Sequence, residues 1–428
     1  MRRITNPILR RLIAFPAIQK LLLFFTVFGP ATVAAMADND AGGVATYSVA
    51  GATLGYPILF LLLIITPLLG LTQEMGMRLT LVTRRGLADL IREEWGVRVS
   101  MVIFGALLIA NIGTITVDIS AIKTTGSMLG IPIIPFMIVM VAIALLVVSK
   151  GNYKFTQSLM LLTSLFYLAY IISAVKAKPD WGLALSNLVY PHGVDFTPAY
   201  LKQYLFIGMG VIGTTITPWG QFFISSFAFD KNIEAGKIIY SQLETYVGAF
   251  LTDFFSFFMI VATAATLFVN KIPLTSGEAA ALAIQPFAGK LAGTLFAVGI
   301  LNAGFMGFII VSLSTAYAFS EFFGLSGSLD SNFKQSKSFY WLFTGQILVG
   351  AGLSLIPGVS IFKLAIVTQT INAVALPLVF YYLIRLTSNH KLMGKYINTP
   401  FQKWFVIIGS VFIFIASVLA LSATFFRF

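Results

Sequence analysis

The sequence contains no cysteine and only two histidines. Without cysteine the chain can form no disulfide, no thiolate metal site and no thiol redox motif, so its redox compartment is unconstrained. His192 and His390 lie in polar connections outside the long apolar runs, which excludes the usual His/Cys transition-metal chemistry from those runs. The runs also hold no nucleophile–base pair, so we expect neither an enzyme nor a resident cofactor.

Charged residues are scarce as well. Asp, Glu, Lys and Arg make up 10% of the 428 residues, whereas hydrophobic residues make up 58%, and the mean hydropathy is +0.90. Soluble domains carry about 25% charged residues, so a water-soluble fold would lack the charges to cover its surface. The sequence therefore predicts an all-α polytopic membrane protein embedded in the lipid bilayer.

Eleven apolar runs are long enough to cross a bilayer core, which takes about 20 helical residues. No linker is long enough to separate soluble domains, so residues 1–428 are expected to form one transmembrane domain. The charged, amphipathic stretch 80–97 should lie on the interface, and 176–201 is the longest outer loop. The predicted spans are 22–55, 57–79, 98–122, 131–149, 155–175, 203–229, 240–269, 286–319, 338–357, 361–386 and 403–426.

Lys and Arg indicate the orientation, because short cytoplasmic loops retain positive charge. Most of the 28 Lys and Arg residues fall on the inner side if the N-terminus is cytoplasmic, and the C-terminus is then extracellular. We expect a multi-pass protein of a cell membrane, the bacterial inner membrane. The net charge of +12 is thus a topology signal, and no nucleic-acid partner is expected.

The first and sixth spans are interrupted by polar and helix-breaking residues. The first reads GPATVAAMADNDAGGVATYS from residue 29, with Asp38 and Asp40 at its middle, and the sixth contains GTTITPWG from residue 213. Glycine costs about 1 kcal/mol and proline about 3 kcal/mol in a helix interior. Such segments persist in membranes where the helix unwinds and lines a cavity. The alternative is a pair of kinked structural helices.

Breaks five spans apart predict two inverted five-helix repeats, at about 20–176 and 203–386, with an additional helix at about 403–426. A substrate would then lie at mid-membrane between the two breaks. Asp38, Asp40 and the Thr214 carbonyl, together with nearby hydroxyls, are hard oxygen ligands that suit Mg²⁺, Ca²⁺ or Mn²⁺. Small residues beside Asp40 are expected to leave room for a hydration shell. Na⁺ or an organic cation could use the same chemistry.

Other polar residues in the spans have structural interpretations. Glu74 and Arg78 are spaced as an i,i+4 ion pair. Asp118 is expected near the outer end of the third span, where Lys123 can reach the interface. Asp253 lies deeper, about halfway along the seventh span, and both a structural and a functional role are open for it. These groups do not form a convincing proton relay.

Several segments resemble the Nramp family of divalent-metal transporters over nearly the whole chain. They are residues 29–48, QEMGMRLTLVTRRGLADLIRE at 73–93, FFMIVATAATLF at 257–268, LNAGFMGFIIVSLSTAYAFSE at 301–321 and RLTSNHKLMGKYINTP at 385–400. The resemblance implies the LeuT-type fold, with two inverted five-helix repeats, an eleventh helix, and helices 1 and 6 unwound at mid-membrane. It also implies metal ligands at Asp40, at the Thr214 carbonyl and at Gln369.

The departures from the family pattern are informative. Where the family has Asp-Pro-Gly-Asn, this chain has Asp40-Ala41-Gly42-Gly43, so Gly43 replaces a ligand asparagine. Where the family has Met-Pro-His, this chain has Thr217-Pro218-Trp219. A thioether is a soft ligand and a hydroxyl is a hard one. The site residues expected to face the metal are thus Asp40, Gly43, Thr214, Thr217, Gln369 and Asp38.

These substitutions look like those of the Nramp-related magnesium transporters, and they predict uptake of Mg²⁺ and Mn²⁺ without proton coupling. The alternative is a proton-coupled Mn²⁺/Fe²⁺ importer of ordinary Nramp type. A sodium-coupled organic-solute carrier and a non-transporting sensor or intramembrane enzyme are further alternatives. Divalent cations and the bilayer are the expected partners, and the protein is expected to be a monomer.

Overall fold

The structure, a computed structural model, describes residues 30–150, 167–231, 233, 235–285, 289–329, 334–358 and 360–425. All regular elements in these ranges are helices. The α-helices are α1 (Pro30–Ala37), α2 (Ala41–Leu54), α3 (Phe60–Thr83), α4 (Leu87–Leu129), α5 (Ile133–Lys150), α6 (Leu168–Lys176), α7 (Trp181–Val189), α8 (Pro198–Thr215), α9 (Pro218–Asp230), α10 (Ile238–Thr263), α11 (Gly277–Ala281), α12 (Ala292–Phe323), α13 (Lys337–Ser354), α14 (Ile361–Thr387), α15 (His390–Met393) and α16 (Pro400–Phe425).

Both predicted interruptions are present. The first span consists of α1 and α2, separated by residues 38–40, and the sixth consists of α8 and α9, separated by residues 216–217. Asp40 caps the N-terminus of α2 by accepting a hydrogen bond from the Gly43 amide at 2.7 Å. Thr217 caps α9 through the Gly220 amide at 3.1 Å, ahead of Pro218 in the first turn. Each break therefore ends one helix and begins the next with an ordinary N-cap.

Some predicted span boundaries are wrong. The third span was placed at 98–122, but α4 runs from Leu87 to Leu129 with a break at Gly96, where φ is 80°. The amphipathic stretch 80–97 thus spans the end of α3, a short connection and the first part of α4, and the outer loop 176–201 contains α7. Residues 151–166, which include most of the predicted span 155–175, lie outside the described residues, as do residues 22–29 of the first span. Apolar composition underestimates helices that extend beyond the bilayer core.

Six of the described helical stretches are long and apolar enough to cross a membrane unaided. The half-helices of the interrupted spans, α1, α2, α8 and α9, are not among these six. Glycines let neighbouring helices approach closely, as is usual in membranes. A methyl group on Gly304 would collide with the Asp118 carbonyl of α4, and one on Gly213 would collide with the Gln369 carbonyl of α14. This packing brings α2, α4, α8, α12 and α14 together around the two breaks.

The predicted Glu74–Arg78 pair is confirmed as a structural feature. The Arg78 Nε and Glu74 Oε1 atoms are 2.6 Å apart, and both side chains are buried. Arg78 also donates to Asn398 Oδ1 at 2.8 Å and to the Tyr396 carbonyl, while Gln242 donates to Glu74 Oε1 at 2.7 Å. The pair therefore ties α3 to α10 and to the segment that precedes α16.

Candidate metal site

The two breaks face each other through Asp38 and Thr217. The Thr217 hydroxyl donates to Asp38 Oδ1 at 3.3 Å, and Gln73 Nε2 of α3 donates to Asp38 Oδ2 at 3.4 Å. The Asp38 and Thr217 side chains are both buried. The predicted approach of segments 1 and 6 is thus present, and it includes Gln73, which sequence reasoning did not assign to the site.

Asp40 lies on the other side of the first break, with Gly43 and Thr214. A Cβ atom on Gly43 would lie 2.6 Å from the Asp38 carbonyl oxygen and 3.4 Å from Thr214 Oγ1. The absence of a side chain at position 43 avoids a collision with the Asp38 carbonyl within the first break. An asparagine there would need the backbone of Asp38 to shift, so Gly43 is suited to the packing of this site.

Gly42 has a similar role. A Cβ atom at this position would lie 2.5 Å from Gln369 Nε2 and 3.0 Å from Asp40 Oδ1. The space beside Asp40 is therefore filled by the Gln369 amide of α14. In this conformation the glycines allow close approach of helices and do not leave open room for a hydration shell.

Asp118 belongs to the site, and its expected place near the outer end of its span was wrong. Asp118 Oδ1 accepts a hydrogen bond from the Ala41 amide at 3.1 Å, and the side chain is fully buried. Because α4 extends eleven residues beyond Asp118 to Leu129, the carboxylate lies about 16 Å from that end of the helix. A Cβ on Gly307 would collide with the Asp118 carboxylate and lie 2.6 Å from Asp40 Cβ. The two aspartates thus meet across this glycine.

The Gln369 side chain directs its amide nitrogen toward the site. Its Oε1 accepts from Asn372 Nδ2 at 2.7 Å, and Asn372 Nδ2 also donates to Thr114 Oγ1 at 3.1 Å. A concerted half-turn of the two amide groups would keep the Gln369–Asn372 hydrogen bond with donor and acceptor exchanged. That rotation would present the Gln369 oxygen to the break, so the predicted oxygen ligand stays a prediction.

Four buried oxygen atoms around the breaks have no hydrogen-bond partner in the described part of the chain. They are Thr46 Oγ1, Gln73 Oε1, Asp118 Oδ2 and Thr214 Oγ1. Each buried, unpaired polar group costs about 1–3 kcal/mol, so their concentration at one place is unfavourable for the protein alone. Oxygen atoms in such an environment are suited to binding a cation.

Helix ends of both polarities lie at the breaks: the N-termini of α2 and α9, capped by Asp40 and Thr217, carry partial positive charge, and the C-termini of α1 and α8 carry partial negative charge. α1 ends at Ala37 and α8 ends at Thr215, so the C-terminal carbonyl groups of both helices lie at the breaks. Each helix C-terminus is equivalent to about half a negative charge. Asp38, Asp40 and Thr217 are at most 2% exposed, so the arrangement is closed to bulk solvent. Among the described residues, no three His, Cys, Asp or Glu side chains form a group that could hold a metal, so neutral oxygens must contribute.

Three other residues lie near the breaks and differ in their side-chain contacts. Asn39 is held by α10, where its amide donates to the Thr252 carbonyl at 3.3 Å and accepts from Ser256 at 3.2 Å. Trp219 is buried, and the described residues provide no partner for its indole N–H. Asp253 accepts from Thr66 at 2.5 Å, which ties α10 to α3. The sequence does contain one indication of Gln73, because it is a polar residue within an apolar span, but that indication is not specific to a metal site.

Two broken helices that enclose a carboxylate- and hydroxyl-lined site are typical of polytopic membrane transporters. The family described as "Natural resistance-associated macrophage protein-like" matches residues 31–423. The chain therefore belongs to the Nramp family.

Relatives and solved structures agree with this membership. The divalent metal cation transporter MntH of Granulibacter bethesdensis is 22% identical over 392 residues, covering 88% of this chain and 83% of the relative. MntH of Caldanaerobacter subterraneus subsp. tengcongensis is 22% identical over 424 residues, covering 95% and 94%. The structure of an Eremococcus coleocola manganese transporter superposes with a TM-score of 0.78 at 19% identity, covering 96% of this chain and 88% of that one.

The fold also matches more distant transporters. Mhp1, a nucleobase-cation-symport-1 family transporter, superposes with a TM-score of 0.58 at 14% identity, covering 93% of each chain. MhsT gives a TM-score of 0.59 at 14% identity, covering 92% of this chain and 98% of that one. The predicted LeuT-type fold is confirmed.

Proposed function

We propose that this protein takes up the divalent cations Mg²⁺ and Mn²⁺ through the site between the two breaks, without moving protons. The observation that carries the proposal is the Thr217 hydroxyl, which lies 3.3 Å from Asp38 Oδ1 where the resemblance places a methionine thioether. Mg²⁺ and Mn²⁺ both accept oxygen ligands, whereas a thioether favours softer ions. The proposed ligands are Asp38, Asp40, the Thr214 carbonyl, Thr217 and Gln369, with Gly43 leaving room for the Asp38 carbonyl.

Trp219 supports the absence of proton coupling. It occupies the position of the histidine in the family pattern, and an indole ring has no group that titrates near neutral pH. A proton is also unnecessary as a driving force. A membrane potential contributes about 2.3 kcal/mol per elementary charge per 100 mV, so an inside-negative potential favours entry of a divalent cation.

The second candidate function is proton-coupled import of Mn²⁺ or Fe²⁺. Asp118 favours it, because its carboxylate lies beside Asp40 across Gly307 and could carry a proton. The curated relatives, which are named as divalent metal cation transporters, and the manganese transporter structure also agree with this candidate.

The topology is part of the proposal. We place the N-terminus in the cytoplasm and the C-terminus outside, on the distribution of Lys and Arg, in the bacterial inner membrane. The chain is proposed to act as a monomer of two inverted repeats, about 20–176 and 203–386, with α16 as the additional helix. No enzymatic activity is proposed.

The test is ion flux into proteoliposomes that contain both a Mg²⁺ dye and a pH dye, with an inside-negative potential. Mg²⁺ and Mn²⁺ entry without acidification of the lumen supports the proposal. Asp195→Asn, which changes an exposed loop carboxylate, serves as the control variant and should transport like the unmodified protein. Mn²⁺ entry with acidification, and no Mg²⁺ entry, would establish the second candidate instead.

A further inference from the structure

We propose that a cavity between α14 and α16 binds one phospholipid with a single net negative charge, such as phosphatidylglycerol. The cavity has a volume of about 640 Å³, within the range of about 300–1,000 Å³ for ligand pockets. It lies apart from the metal site, and neither the metal site nor the family assignment accounts for it.

The charges of the lining, which are carried by exposed side chains, favour an anion. Arg385 at the end of α14 and Lys403 at the start of α16 both line the cavity, together with Glu94 of α4. None of the three forms an ion pair within the residues that the structure describes. Two cations and one carboxylate leave one net positive charge, which a single phosphodiester neutralises. Arg and Lys are the side chains that bind phosphate groups, and basic pockets between membrane helices bind anionic headgroups.

The remaining lining distinguishes a lipid from a free phosphate ion. Ile407 and Val411 continue along α16 from Lys403, one and two helical turns further on, and give the cavity an apolar wall. Trp95 and Tyr381 also line it, and these amphipathic rings are enriched at the headgroup level of membranes. A phospholipid fits this lining, because its headgroup would contact the charged residues and one acyl chain would pack along the apolar wall.

The surfaces beside the cavity face the membrane. Leu378 on α14 and Ile408 and Phe412 on α16 are large hydrophobic residues with 39%, 66% and 43% exposure. A bundle in a bilayer presents such residues to lipid, so the cavity opens where acyl chains are present. This continuity with the lipid-facing surface favours a membrane lipid over a soluble ligand.

Native mass spectrometry of the full chain in detergent, titrated with phosphatidylglycerol or phosphatidylethanolamine, tests the proposal. We expect one phosphatidylglycerol per chain and an apparent Kd at least tenfold higher for the Arg385→Gln/Lys403→Gln variant. The control Lys334→Gln/Lys391→Gln, which removes two exposed cations outside the cavity, should keep the Kd within twofold. Three outcomes would each overturn the proposal. They are equal binding of phosphatidylethanolamine, an unchanged Kd in the cavity variant, and displacement of the lipid by millimolar inorganic phosphate.

A second measurement covers the case in which the double variant does not fold. Ser410→Trp fills the cavity without removing a charge, and it should also lower phosphatidylglycerol binding. In addition, phosphatidylglycerol with brominated acyl chains should quench the fluorescence of the unmodified protein more than that of Trp95→Phe. Equal quenching of the two proteins would place the lipid elsewhere and refute the assignment.

Discussion

Replacing Thr217 by methionine is the sharpest test of the metal site. Thr217→Met removes the hydroxyl that donates to Asp38 Oδ1 at 3.3 Å and caps the Gly220 amide at 3.1 Å. Loss of the cap costs about 1 kcal/mol, and a hydrogen bond between membrane helices averages about 0.6 kcal/mol. The free energy of unfolding should therefore fall by about 1–2 kcal/mol, which leaves a folded protein.

The Thr217→Met variant also places a soft thioether ligand beside Asp38. A thioether favours Cd²⁺ over hard cations, so Cd²⁺ should bind at least tenfold more tightly, or about 1.4 kcal/mol. Thr217→Leu is the matched control, because leucine removes the same hydroxyl and cap but has no sulfur. Isothermal titration calorimetry with Cd²⁺ and competition by Cd²⁺ in the flux assay measure the difference between the two variants. Equal Cd²⁺ affinity in the methionine and leucine variants would mean that residue 217 does not face the ion.

Three further changes test other parts of the site and fold. Asp40→Ala should abolish Mg²⁺ and Mn²⁺ flux, whereas Asp180→Ala, which removes a comparable N-cap outside the site, should not; residual flux above one tenth would contradict the assignment. Glu74→Gln leaves a buried guanidinium without its charge partner and should destabilise the protein by about 3–5 kcal/mol in thermal unfolding. Gly307→Ala should reduce flux at least tenfold because its methyl group would collide with the aspartates, while Gly299→Ala, on the same helix with open space around it, should leave flux unchanged.

The sequence was sufficient to predict the architecture because the bilayer imposes strong constraints on it. An apolar run of about 20 residues has few alternatives to a spanning helix, so most span positions agree with the observed helices. The breaks were predictable for the same reason, since Asp38, Asp40 and Pro218 are all unfavourable in a continuous membrane helix. The boundaries of α4 were not predictable, because its ends continue past the apolar core into polar sequence.

The positions of polar side chains inside the bundle depend on long-range packing between helices, which cannot be read from a single sequence. Asp118 was assigned to the end of its span because the apolar run ends at 122, although the helix itself continues to Leu129. Its contact with Ala41 depends on how α4 packs against α2 and α12, through Gly307 among others. Gln73 was likewise recognisable as polar within a span, but its direction toward Asp38 follows only from the rotation of α3 in the bundle.

The close packing of the site changes the argument for a cation that is bound only by oxygen ligands. The proposed selectivity for hard ions does not rest on empty space beside Asp40, because the Gln369 amide fills that space. It comes from the ligand types: two adjacent aspartates, a hydroxyl in place of a thioether, free carbonyl groups at two helix ends, and four buried oxygens without partners. Mg²⁺ retains several waters in most protein sites, so a hydrated ion requires Gln369 to withdraw from Gly42. The Gln369 side chain, which α14 places against Gly42, is therefore the group whose movement would make room for the hydrated ion.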